Sequence, residues 1–239
     1  IKRREPMEEI EKKDQLYIVD DGRGREFLIL GSEYAILIDT GFADSQVFET
    51  VKKITDLPVK VLLTHGDRDH AEGLEKFGEC WAMEEDWSMI DSRIVLHPMR
   101  EGDVFSCGAY QLEVIAIPGH TYGSAAFLDR EKGLLISGDS VQKGGPIYMF
   151  GKSRNLNLYI ESLRKLLLLT DQIREILPSH HVCPVYGDSI EKDLEDALAL
   201  RAGKLTGTPH PSLPCQVFQG VWTSFYYVPD ASAPAPQAP

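Results

Sequence analysis

Val59-Lys60-Val61-Leu62-Leu63, followed at once by Thr64-His65-Gly66-Asp67-Arg68-Asp69-His70, is the stretch on which the reading of this chain turns. The first five residues form an apolar run of strand length. Residues 65–70 then hold two imidazoles and two carboxylates. Neutral imidazole nitrogen with carboxylate oxygen suits zinc, iron or manganese, and alternation along an extended segment turns His65 and Asp67 to one side. Asp69 and His70 enter a turn and approach the same point from another direction. As ordinary surface residues they would leave Asp69 to cap a helix over residues 71–77, with Glu72 closing a capping box. Four such side chains in six positions favour a metal site instead.

Outward from this stretch, polar clusters recur wherever a strand pattern stops. Asp39-Thr40-Gly41 follows residues 34–38, and Pro118-Gly119-His120-Thr121 follows 112–117. Gly138-Asp139-Ser140 follows 134–137, and Pro178-Ser179-His180-His181 follows 173–177. Loops carried at strand ends by a rigid scaffold are where catalytic centres are assembled. The five loops are therefore expected to converge on one spot.

These five stretches, in this order, resemble the metallo-β-lactamase superfamily, whose motifs run Asp loop, H-x-H-x-D-H, His, bridging Asp, His. The resemblance spans about residues 16–184, and the surroundings of His120 and Asp139 are similar to glyoxalase II and other hydrolases. It implies an α/β chain folded as a four-layer αββα sandwich. It also implies two divalent metal ions, zinc first, with iron or manganese as alternatives. Carried over by motif, His65, Asp67 and His120 hold one ion, Asp69, His70 and His180 hold the other, and Asp139 bridges them. Asp39 is implied as a buried carboxylate behind the ligands that fixes a histidine tautomer. The implied activity is hydrolysis of a small-molecule ester, thioester, lactone or related bond by a metal-bridging hydroxide, with Asp69 orienting it and moving a proton to the leaving group. Of the adjacent His180 and His181, the family register selects His180; His181 stays a loop residue within reach of a substrate. Tyr122, Lys143, Tyr148 and Phe150 are further candidates for substrate contact. The last two stand in a glycine-flanked apolar segment, residues 141–151, that reads equally as a lid or as core.

The chain departs from the family pattern at Asp67, where most members carry a second His. Two divalent ions bring about +4 and three carboxylates with a hydroxide about −4, so the cluster is expected near neutral rather than about +1, with weaker pull on anionic substrates. A harder oxygen ligand also leans toward iron or manganese. The flavodiiron branch places a Glu here, which makes a diiron protein reacting with oxygen or nitric oxide the first alternative. A non-catalytic binding protein of the same fold is the second. The hydrolase-like stretches around His120 and Asp139, and a chain of 239 residues with no room for a flavodoxin domain beside the sandwich, favour hydrolysis.

A formal net charge of −12 repels phosphate backbones, so no nucleic-acid partner is expected. No apolar stretch reaches the length of a membrane span, and a small-molecule substrate is the expected partner. The oligomeric state is not specified. Cys80, Cys107, Cys183 and Cys215 are scattered, form no C-x-x-C pair and read as reduced thiols, and residues 1–4 lead into no signal-peptide core. A cytoplasmic location is expected. The domain is placed at residues 14–229, after an extension at 1–13 and before a disordered Pro/Ala tail at 230–239. Further strands are expected at 16–19, 26–30 and 125–128, and helices at 44–55 with Asp44 as N-cap, 84–91, 156–170 and from Asp188 to Gly203. A closing hairpin is expected from 216–218 and 221–228 about Gly220. Trp81 and Trp87 read as core anchors, and His97 and His210, beside prolines, as ordinary loop residues.

Overall fold

A computed structural model describes residues 9–229. Seven strands lie side by side in chain order: β1 (Glu9–Lys13), β2 (Leu16–Asp20), β3 (Arg25–Leu30), β4 (Ala35–Ile38), β5 (Val59–Leu62), β6 (Glu79–Met83) and β7 (Val95–Met99). Pairing is antiparallel as far as β4 and parallel from there to β7. β8 (Val104–Cys107), β9 (Tyr110–Ala116), β10 (Ala125–Asp129) and β11 (Leu134–Gly138) form an antiparallel meander in a second sheet. The chain leaves it for β12 (Pro146–Met149) and returns as β13 (Glu175–Pro178), parallel to β11. A third sheet joins β12 to β14 (Gly207–Pro209), β15 (Gln216–Gln219) and β16 (Ser224–Tyr227). The helices are α1 (Val47–Ile54), α2 (Arg68–Ala71), α3 (Leu156–Leu167) and α4 (Asp188–Arg201).

Successive strand side chains point to opposite faces, so a strand apolar at every position serves two cores at once. Phe27, Ile29, Ile36 and Ile38 meet Leu112, Val114, Phe127 and Ile136 between the first two sheets. Their neighbours Leu28, Ala35 and Leu37 pack outward against Val47 and Val51 of α1. On the far side, Ala126, Leu128 and Leu135 meet Tyr159, Ile160 and Leu163 of α3 and Ile190 and Ala197 of α4, joined by Ile147, Phe218 and Phe225 of the third sheet. This is the four-layer αββα sandwich anticipated from the motifs. Trp81 and Trp87 pack against its cores.

Strand direction decides where the loops go. β4 and β5 are parallel, and β9, β11 and β13 share one direction because β10 runs antiparallel to both β9 and β11 while β13 is parallel to β11. The loops that follow these five strands carry Asp39, residues 64–70, His120, Asp139 and His180.

Several local expectations change. Residues 9–13, assigned to the extension, form edge strand β1 against β2. Residues 1–8 and the tail at 230–239 lie outside the described residues. α1 begins at Val47 with Gln46 at its cap position and no side-chain cap, and the Asp44 carboxylate accepts instead from Arg23 at 2.8 Å. The expected helix at 71–77 is a 3-10 turn, Glu72–Lys76, which follows α2, and Glu84–Met89 is likewise 3-10. Asp69 sits in the first turn of α2 rather than at its cap, and Glu72 pairs with Arg68. The segment at 141–151 is not a free lid: β12 pairs along its length with β16, with Ile147 and Met149 in the core and Tyr148 facing out. β6, β7 and β8 were not anticipated, since half-exposed strands of four or five residues carry no clean alternation. Among the described residues no helix is long and apolar enough to cross a membrane, and the four cysteines are free.

Candidate metal centre

The strand ends bring seven side chains together. His65, Asp67 and His120 form one group, Asp69, His70 and His180 a second, and His65, His70 and Asp139 a third that straddles them, with the donor atoms of each group within 4.8 Å of one another. Asp67 Oδ2 lies 3.4 Å from His65 Nε2 and 3.2 Å from His120 Nε2. His180 Nε2 lies 3.3 Å from Asp69 Oδ2 and 3.4 Å from His70 Nε2. Asp139 reaches both groups: Oδ1 is 3.4 Å from His70 Nε2 and 3.3 Å from His180 Nε2, while Oδ2 is 3.7 Å from His120 Nε2. The approach of Asp139 depends on Gly138, which has φ 54° and where a β-carbon would stand 2.8 Å from the Thr64 Cβ. Only glycine meets both demands at low cost.

The partners behind the rings decide which nitrogen carries the proton. His120 Nδ1 faces the Tyr148 carbonyl at 3.1 Å, which can only accept, so Nδ1 is protonated and Nε2 offers a lone pair. His70 Nδ1 faces Asp39 Oδ2 at 2.8 Å, with the same result. The Thr64 hydroxyl donates to Asp39 Oδ2 at 2.7 Å, which leaves its oxygen to accept from His65 Nδ1 at 2.9 Å. Asp39 also accepts the Thr64 N–H at 2.8 Å, and its backbone is left-handed at φ 63°. One buried carboxylate thus orients two imidazoles, one directly and one through a hydroxyl.

With these tautomers the Nε2 lone pairs of His65 and His120 face each other at 3.2 Å with no proton between them. Asp139 Oδ1 is buried without a hydrogen-bond partner. The inward lone pairs of His65, His70 and His120, converging with the Asp139 carboxylate, fit divalent cations. Burial works against charge on Asp139, yet His180 and His70 hold its pKa well below the usual carboxylate value. Burial would lower His70, but Asp139 and Asp39 raise it well above an ordinary histidine, whereas His120 is lowered, chiefly by burial. A cation at this site would therefore compete with a proton for the His70 lone pair.

Two residues that the sequence reading passed over support this centre. Asp86, 1% exposed, accepts from Gly66 N at 2.8 Å, Gly123 N at 2.8 Å and the Thr121 hydroxyl at 2.6 Å, tying the His65 loop to the His120 loop. It sits in an acidic run, Glu84-Glu85-Asp86, and nothing local marks it out. Arg154 donates from Nη2 to Asp67 Oδ2 at 2.5 Å.

The candidate substrate contacts are more dispersed. Tyr148 is part-exposed, its ring 4.8 Å from that of Tyr226 and 5.8 Å from that of Phe150. Tyr122 is exposed on the loop after His120. The Lys143 ammonium lies over the Trp222 ring at 4.3 Å. His181 packs so closely on Gly145 that a β-carbon there would collide with its ring, and its own φ is 59°. A cavity of about 350 Å³ beside His180 is lined by Arg23, Arg25, Ser179 and His181 among others.

No protein-family model matches the chain. The acyl-coenzyme A thioesterase MBLAC2 of Gallus gallus is 28% identical over 201 residues, 66% of this chain and 72% of that protein. Hydroxyacylglutathione hydrolase of Xylella fastidiosa is 30% identical over 194 residues, 76% of this chain and 72% of that protein. Among solved structures, a metallo-β-lactamase from Pontibacter korlensis aligns with a TM-score of 0.69 over 80% of this chain and 99% of its own, at 19% identity, a likeness of fold alone. The chain belongs to the metallo-β-lactamase superfamily, as a hydrolase of that fold.

Proposed function

We propose that this protein hydrolyses a thioester of a small-molecule thiol at a centre for two divalent metal ions, zinc by preference. The reading is carried by Asp139, whose two oxygens face separate imidazole groups, Oδ1 toward His70 and His180 and Oδ2 toward His120, a placement that would let it serve two cations. Two relatives support the substrate class: one is a coenzyme A thioesterase, and hydroxyacylglutathione carries its acyl group on a thiol sulfur. The charge of −12 favours small molecules over nucleic acid, and the free cysteines suit the reducing cytoplasm.

When bound, such cations supply a water that ionises near neutral pH and draw charge from the carbonyl oxygen under attack. His65, Asp67 and His120 would hold one ion and Asp69, His70 and His180 the other, with Asp139 between them. Asp39 and Thr64 keep the His70 and His65 lone pairs aimed inward. Burial works against charge on Asp69, but His180 and His70 hold its pKa below the ordinary value, so it is a carboxylate at neutral pH. At the rim, with its side chain 28% exposed, it accepts a proton from the attacking water and passes it toward the departing sulfur. A thiol pKa of about 8.5 makes the thiolate a competent leaving group, so a weak acid suffices. Tyr122, Lys143, Tyr148, Phe150 and His181 supply the substrate contacts.

Elemental analysis of purified protein, combined with thiol release from acyl-coenzyme A and acylglutathione beside oxygen esters, lactones and phosphodiesters, tests this. The expected result is two metal ions per chain and turnover fastest on thioesters. A coloured, iron-loaded protein that consumes oxygen with a reductant, or folded wild-type protein that binds no metal, would refute it.

A further inference from the structure

We propose that Arg154 is the dedicated charge partner of Asp67, and that the two together replace the neutral second imidazole which most of the superfamily carries at this position. The inference rests on the reading of His65, Asp67 and His120 as a metal-holding group. Arg154 and Asp67 are 87 positions apart, and their side chains are 12% and 20% exposed. A guanidinium so far withdrawn from water is costly unless a counter-charge meets it. Asp67 is that counter-charge: the other nitrogens, Nε and Nη1, are buried with no hydrogen-bond partner.

The pairing is built into the backbone. Arg154 directly precedes Asn155, whose side chain caps α3 by accepting from the N–H groups of Asn157 and Leu158, both at 3.0 Å. The Asn155 N–H donates to the Gly119 carbonyl at 2.8 Å, next to His120. At Gly119, φ is 142° and a β-carbon would run into the backbone of Tyr159, so the loop is pressed onto the helix start. Arg154 is thus held between α3 and the loop that carries a candidate ligand.

This changes the electrostatics expected from Asp67 alone. The carboxylate adds one negative charge, and Arg154 adds one positive charge on the oxygen that faces His65 and His120. The cluster returns to about +1, as with an all-imidazole set. Attraction for anionic substrates is therefore not weakened, and exchanging Asp67 alone leaves the Arg154 guanidinium without its one partner.

The test is a double-mutant cycle of Asp67→His, Arg154→Gln and the combined variant, read on chelator-stripped protein by thermal unfolding and by zinc affinity in competition with a chromophoric chelator. Asp67→His alone leaves the guanidinium unpaired beside the cations. It should lower Tm and weaken zinc binding about 10-fold or more, within the range found for loss of supporting interactions. Adding Arg154→Gln should restore most of both. If Asp67→His is recovered only unfolded, the same coupling appears as recovery of folded protein in the double variant. Equal zinc affinity for Asp67→His and the double variant, or Tm changes that simply add, would overturn the proposal. Zinc and heat report without substrate, so a wild-type protein inert toward thioesters would remove the proposed activity and leave this pairing standing.

Discussion

Asp39→Asn is the sharpest perturbation of the centre that leaves every proposed ligand in place. Asn is nearly isosteric and among the residues that best tolerate a left-handed backbone, so the φ of 63° adds little strain. It retains one oxygen for the Thr64 N–H but presents an amide to the Thr64 hydroxyl and to His70 Nδ1, now separated from Oδ2 by 2.7 and 2.8 Å. Two hydrogen bonds to a buried carboxylate are worth about 1.5–3 kcal/mol each, and part is regained if the amide donates to the Thr64 oxygen. A net loss of about 3 kcal/mol follows, or roughly 6–12 °C in Tm for a chain of this size. His70, facing an N–H, takes the other tautomer and turns a proton toward the cations, which should weaken metal binding about 10- to 100-fold. Denaturant unfolding of the stripped protein and chelator competition measure the two effects separately. If the variant matches wild type in both midpoint and metal affinity, the carboxylate does not set the tautomers and the account of the centre fails.

Three further outcomes are expected. Burial and the neighbouring Asp196 raise the Asp193 pKa well above the ordinary value, and its Oδ1 has no partner while Oδ2 accepts from Gln142 N at 3.0 Å. The unfolded chain then holds fewer protons than the folded one above about pH 3.9, so this group costs stability as pH rises. Asp193→Asn should raise Tm at pH 7.5 and lose that advantage near pH 4; a Tm difference independent of pH contradicts the sign. Asp86→Ala strands the buried Gly66 and Gly123 N–H groups at about 1–3 kcal/mol each, while the Thr121 hydroxyl keeps Ser124 Oγ at 2.8 Å, so it should lower the denaturant midpoint and reduce metal content, whereas an unchanged midpoint would show that the loops hold without it. Tyr148→Ala keeps the backbone carbonyl that orients His120 and should raise KM with metal content unchanged; loss of folding would instead assign the ring to packing against Tyr226.

How much of this was legible differs residue by residue. His65, Asp67, Asp69, His70, His120, Asp139 and His180 stand out because imidazole and carboxylate are the side chains that suit a divalent cation and each follows an apolar strand run, a signal confined to a few neighbouring positions. The sandwich is equally local in origin: strands such as Ala35–Ile38, buried on both faces, fill a core on either side of a sheet. β12 was hidden, since four residues between glycines read as a loop until a partner strand 78 positions later supplies the hydrogen bonds. Residues 9–13 gain their strand only from β2.

The chain on its own therefore determined the candidate ligand types, their order and the layers that carry them, because side-chain chemistry and the two-residue strand repeat are written in adjacent positions. The tertiary structure alone decided the charge at the centre and the bracing of its loops. Arg154 meets Asp67 across 87 residues and Asp86 spans 20 to 37, and no periodicity announces which buried charge will face which donor once two sheets close on each other.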